Sequence, residues 1–250
     1  MDDAQEVDLE WIMSQGHLTL YTIDVEADCL VLVGTSQFRS LPSHPNYFEA
    51  QRKFASTMCV VPLREIRALA EKSRAFLDRR RGDFATVVML YATGQCASTH
   101  LTHFFEKVLA LVLLPPSLIP PHPPTVPFTL HLTRSIFSPP TSQLPGTVAI
   151  VEPDFLTQFA KLLLTPRGDQ LFEDLFLDVW VIFLAVTLRS ITGGKMVDRF
   201  HTLVIKPNTL VFQIAERIQR KCPTLRCVFM YRNSREFCEA TVTLENSRRL

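Results

Sequence analysis

The sequence predicts an α/β fold: a parallel sheet flanked by helices, preceded by a small β-containing segment. Three observations predict it. Ala85–Tyr91 (ATVVMLY) and Thr147–Val151 (TVAIV) are continuous apolar runs of strand length, the pattern of strands covered on both faces. His201–Ile205 and Leu225–Tyr231 (LRCVFMY) supply two more apolar runs. Helical patterns of crossover length separate the later runs, and such connections join parallel neighbours.

The chain has 250 residues and a formal net charge of +1, enough length for one domain with a sizeable core. Balanced charge and an apolar fraction of 47% argue against extended disorder and against a strongly basic nucleic-acid binder. Six cysteines include no C-x-x-C pair, and the acidic start MDDAQEVDLEW lacks the layout of a secretory signal. Free thiols and a cytoplasmic location are the expectation. The apolar run Val179–Leu188 is about half the roughly 20 residues a spanning helix needs, so a buried helix is expected and no membrane partner.

The elements divide the chain into an N-terminal segment, 1–83, and an α/β domain, 84–250. His17–Asp24 and Cys29–Gly34 flank a polar turn at Glu26–Asp28 and predict a β-hairpin. Asn46–Thr57 reads as a short helix. Pro62 opens a second one running to about Arg80, with Leu63, Ile66, Leu69, Ala70 and Leu77 at helical spacing. After the strand at 85–91 comes a helix, then a break in the rhythm. Residues 110–146 hold ten of the seventeen prolines, and no acidic residue lies between Glu106 and Glu152. Prolines at this density suit a polyproline-like insertion, and neither a helix nor a central strand. Helical patterns then follow Thr147–Val151 to about Ser190. Asn208 can cap the helix after His201–Ile205, and Ser234 a final one after Leu225–Tyr231.

Met89–Val108 (MLYATGQCASTHLTHFFEKV) carries the most chemistry. A strand leads into a small-residue loop, paired hydroxyls and an amphipathic helix. That order aims several backbone N–H groups at one point, a cradle for phosphate to which Ser98 and Thr99 add hydroxyls. The G-x-x-x-x-G-K-[ST] pattern is not met, because Ala92 and Ala97 occupy its glycine positions and no lysine precedes a hydroxyl.

This stretch resembles the phosphate loop of the P-loop sulfotransferases. Two later segments strengthen the likeness: LVIKPN (Leu203–Asn208) and RCVFMYRNSREFCEAT (Arg226–Thr241). The resemblance covers roughly Ala85–Thr241 without the proline-rich segment. It implies a P-loop NTPase-like sheet and transfer of a sulfuryl group from 3′-phosphoadenosine 5′-phosphosulfate to a hydroxyl or amine of a small-molecule or glycan acceptor. No metal is expected. By position, Gly94, Gln95, Cys96, Ala97, Ser98 and Thr99 would hold the 5′-phosphosulfate, Lys206 would stabilise the transferred group, and Arg232 would pair with the 3′-phosphate. Thr241 lies beside Ala240, where the family usually has serine. Gln95 stands at a usually basic position, and Asn208 where many members have a histidine base. Three alternatives stay open: a nucleotide-binding pseudoenzyme, a P-loop kinase, for which neither a Walker lysine nor a magnesium carboxylate is evident, and an interaction module using the proline-rich segment.

Glu152, at the end of the Thr147–Val151 strand, is the candidate base, since strand carboxyl ends face the ligand crevice in open α/β sheets. Read blandly, Glu152 and Asp154 are first-turn helix carboxylates beside Pro153. His100, His103 and Glu106 recur every three residues, a spacing that drifts around a helix and suits metal poorly. Cys96 reads as a small structural thiol.

Overall fold

The computed structural model describes residues 8–35, 47–80, 86–92, 147–192 and 202–230. The candidate phosphate loop, the insertion 110–146, His100, His103, Glu106, Arg232, Ser234 and Thr241 lie outside the described residues.

The N-terminal elements are α1 (Leu9–Ser14), β1 (Leu18–Asp24), β2 (Cys29–Thr35), α2 (Tyr47–Phe54), β3 (Ala55–Pro62) and α3 (Ile66–Arg79), the last entered through a 3-10 turn at Leu63–Glu65. The expected hairpin is present as β1 and β2, paired from Leu18↔Gly34 to Asp24↔Cys29. Its turn is closed by Asp24, whose Oδ1 accepts the Ala27 N–H at 2.9 Å, and by Asp28 at φ 53°, a left-handed position Asp tolerates.

Two features differ from the sequence reading. The helix expected over Asn46–Thr57 stops at Phe54, and Ala55–Pro62 is a third strand, antiparallel to β2. The pattern concealed it because β3 lies at a sheet edge: most of its side chains face solvent, Met58 at 71%, so no in–out alternation marks it. The acidic start also runs into a one-and-a-half-turn helix, α1, capped by Asp8, whose side chain accepts the Trp11 N–H at 2.9 Å.

The second sheet contains β4 (Thr86–Ala92), β5 (Thr147–Val151), β6 (Thr202–Lys206) and β7 (Arg226–Met230) in the order β5-β6-β4-β7. Every neighbouring pair is parallel, as the apolar runs and long connections require. Between β5 and β6 run α4 (Asp154–Leu162) and α5 (Gly168–Thr192), in the span where helical patterns are expected. A 3-10 turn (Thr209–Ile214) and α6 (Ala215–Lys221) precede β7. Asn208 caps that turn as expected, its Oδ1 accepting the Leu210 N–H at 3.0 Å.

Both faces of the parallel sheet are apolar. Met89, Tyr91, Ile150, Leu203 and Ile205 join the main core, and Leu90, Ala149 and Val204 form a second cluster with Val228 packed against it. The main core is aromatic where α4 meets α5. Phe155, Phe159, Phe172, Phe176 and Phe183 are fully buried, and Phe172 stacks on Phe176 at 4.7 Å between ring centroids. Each such ring contributes about 1.5–3 kcal/mol through burial alone. The same core continues through Leu18, Leu20, Leu30 and Leu32 of the first sheet and Leu69 and Phe76 of α3. Val179, Ile182, Phe183, Val186 and Leu188 are buried, which makes the apolar run of α5 a core helix. Among the described residues, no helix is long and apolar enough to cross a membrane.

Candidate functional site

Strand order places the site. The connection leaving β4 leads to β5 on one side, and the connection leaving β6 leads to β7 on the other. Neighbouring strands that send the chain in opposite directions open a crevice at their carboxyl ends. β6 and β4 are such a pair. Two clusters of side chains lie at the carboxyl-end halves of these strands and their neighbours.

Lys206 is the last residue of β6, and its side chain is only 8% exposed. It is therefore no solvated lysine at a strand end. Its Nζ donates to Glu152 Oε1 at 2.7 Å, and Glu152, just past β5, is 32% exposed. The β5–β6 register sets this up, with Val151 opposite Lys206 and Glu152 one residue beyond. The backbone reinforces the pair: Glu152 N–H donates to the Lys206 carbonyl at 2.6 Å. The two sequence-derived candidates thus meet across adjacent strand ends. A buried ammonium needs such a partner, because desolvation otherwise costs more than the fold can offset.

Glu152 also has φ 56°. A left-handed conformation costs a non-glycine residue about 1–3 kcal/mol, and the following Pro153 restricts it further. Nothing in the sequence signals this strain. The backbone bond and ion pair to Lys206 hold the residue there, so its carboxylate is aimed by the fold and not by a flexible loop.

Asp154, the second carboxylate of VEPDF, is structural. Its Oδ2 accepts from Thr22 Oγ1 at 2.6 Å and from Gln158 Nε2 at 2.9 Å, tying the start of α4 to β1. Asn208 is committed to its cap.

The second cluster was not anticipated. Tyr91 of β4 stacks on Phe229 of β7 at 5.1 Å and meets Phe212 edge-on at 5.9 Å. Phe229 and Phe212 are 52% and 44% exposed, while Tyr91 is buried. Its hydroxyl has no hydrogen-bond partner among the described residues, and burial pushes its pKa up. The rings come from three separate segments, so only the strand order brings them together.

The remaining candidates, Gly94, Gln95, Cys96, Ala97, Ser98, Thr99, Arg232 and Thr241, fall outside the described residues, although β4 ends at Ala92, immediately before the candidate loop. Among the described residues, no group of three His, Cys, Asp or Glu side chains is placed to hold a metal. Cys29, Cys59, Cys222 and Cys227 are free thiols, and burial raises the pKa of each. Comparison with protein-family models, curated proteins and solved structures gives no match.

Proposed function

We propose that the chain is a P-loop sulfotransferase-like protein that transfers a sulfuryl group from 3′-phosphoadenosine 5′-phosphosulfate to a hydroxyl or amine acceptor. The observation that carries this reading is the Glu152–Lys206 pair at the carboxyl ends of two neighbouring strands of the parallel sheet. The resemblance of Met89–Val108, Leu203–Asn208 and Arg226–Thr241 to that family supports it.

In this reading Glu152 takes the proton from the acceptor hydroxyl as the new O–S bond forms. The bond from sulfur to the oxygen of the 5′-phosphate breaks, and the electron pair leaves with that phosphate. Lys206 offsets the charge that develops there. Such transfer is mostly positioning and electrostatics, so a buried and oriented lysine suits it better than a mobile one. The donor's phosphates would fall to the loop Gly94–Thr99 and to Arg232, whose guanidinium fork fits a phosphate bidentately.

The same pair also favours a second reading, donor binding without transfer. Each group neutralises the other, and Gln95 and Ala97 remove a charge and a glycine from the loop pattern.

The test is thermal stability with and without adenosine 3′,5′-bisphosphate, on wild type and Arg232→Ala. At about a hundred times its dissociation constant the ligand should add roughly 2.7 kcal/mol of stability, lost in the variant. Sulfuryl transfer by wild type but not by Glu152→Gln would then select the enzyme. Binding without transfer would select the second reading. No stabilisation of folded wild type would overturn both.

A further inference from the structure

We infer that the outer edge of β3 pairs antiparallel with the same edge of a second copy of the chain, Met58 of each copy opposite Val60 of the other. The three-stranded sheet of each copy becomes half of one continuous sheet.

The two edges of that sheet are built differently. β1 lies against α4 and α5, its pairing is irregular between Leu20 and Thr22, and it ends on Asp24. Such devices keep an edge from recruiting another strand. β3 has almost none of them. It carries no charge from Ala55 to Pro62, and its single proline is its last residue. Its one irregularity lies at its start, beside the Gly34 and Thr35 pairings. Among the described residues no strand pairs with its outer side. Ala55, Ser56, Thr57 and Met58 are all exposed, whichever face of the pleat they occupy. The outward N–H and C=O groups of such an edge are a template for another strand.

Side-chain chemistry selects the partner and the register. Leu32↔Cys59 and Leu30↔Val61 lie on the core face, so Val33↔Met58 and Val31↔Val60 lie on the other. Met58 and Val60 are the exposed apolar side chains there, Val60 at 44%. An uncharged edge meets no like charge in a copy of itself. A two-fold axis normal to the sheet keeps like faces together, so only every second register is allowed. Among these, Met58 opposite Val60 covers both apolar side chains of both copies. The neighbouring registers set one of them against Ser56 or Pro62 instead. An edge contact of eight residues is smaller than the about 1,200–2,000 Å² of stable complexes, so the dimer is weak and dissociates on dilution.

The experiment is sedimentation velocity of the full chain over a concentration series reaching about 0.3 mM, suited to a weak contact. It compares wild type, Met58→Lys, Val60→Glu and an equimolar mixture of the two variants. Both side chains are exposed, so the substitutions leave the fold intact, and melting temperatures check this. Wild type should dimerise, and each variant alone about tenfold more weakly. The mixture should recover much of the loss, because the introduced lysine then faces the introduced glutamate. A monomeric wild type at the highest concentration, variants that dimerise like wild type, or a mixture no tighter than its components would overturn the assignment. None of these outcomes bears on the proposed transfer, which uses neither Met58 nor Val60.

Discussion

Glu152 and Lys206 are joined twice across the carboxyl ends of β5 and β6, by a backbone hydrogen bond of 2.6 Å and a side-chain ion pair of 2.7 Å. The first bond survives any change of side chain other than to proline at position 152, and the second does not. Glu152→Ala should therefore strand the Lys206 ammonium in a nearly buried position. Because Glu152 is itself about one-third exposed, the loss should fall below the 3–5 kcal/mol of a fully buried pair, at about 2 kcal/mol. Glu152→Gly should cost about 1 kcal/mol less than Glu152→Ala, since glycine accepts φ 56° without strain. Urea denaturation of the two variants measures the difference directly.

Tyr91→Phe should cause no loss of stability, and a gain of up to about 1 kcal/mol, because it removes a buried hydroxyl without a hydrogen-bond partner among the described residues while keeping the ring that stacks on Phe229. Thermal melts of the two proteins decide it. A clear loss would mean that the hydroxyl has a partner, protein or water.

Asn208→Ala should cost about 1 kcal/mol by leaving the Leu210 N–H without its cap, and Asn208→Asp should restore most of it. Chemical denaturation of both variants separates the lost cap from a general effect of substitution at this position.

Cys222 gives a dependence on pH. Burial raises its pKa from 9.0 to about 11, so above pH 9 the unfolded chain releases this proton before the folded one does. The contribution of Cys222 to stability should be constant below pH 9 and should fall between about pH 9 and 11. Urea midpoints across that range, compared with those of Cys222→Ala, isolate the effect from buried tyrosines. In the folded protein the same thiol should resist alkylation at pH 8.

What could be read from the residues follows from which physical signals are local. β4 and β5 were legible because a strand buried on both faces must be apolar throughout, and Thr86–Ala92 and Thr147–Val151 are. Asn208 was legible because a capping side chain acts within two residues. β3 was not: as an edge strand it makes no demand on most of its side chains, so helix and strand look alike there. The site divides the same way. Lys206 and Glu152 stand out as charges directly after apolar strands, but their union depends on β5 and β6 being neighbours. The left-handed backbone at Glu152 and the meeting of Tyr91, Phe212 and Phe229 depend on register and strand order, which no short segment carries.

The first sheet has an inner face of Leu18, Leu20, Ile23, Leu30, Leu32 and Val61, each no more than 3% exposed, and β1 lies against α4 and α5. Those helices come late in the chain: roughly a hundred residues separate Pro62 from Gly168. At about 5–20 residues per second, a ribosome would take about 5–20 s to make that stretch. During that interval the hairpin and its edge strand would be complete but uncovered on their greasy side. The chain's yield on expression should therefore respond more to the pace of translation than to the stability of the finished fold.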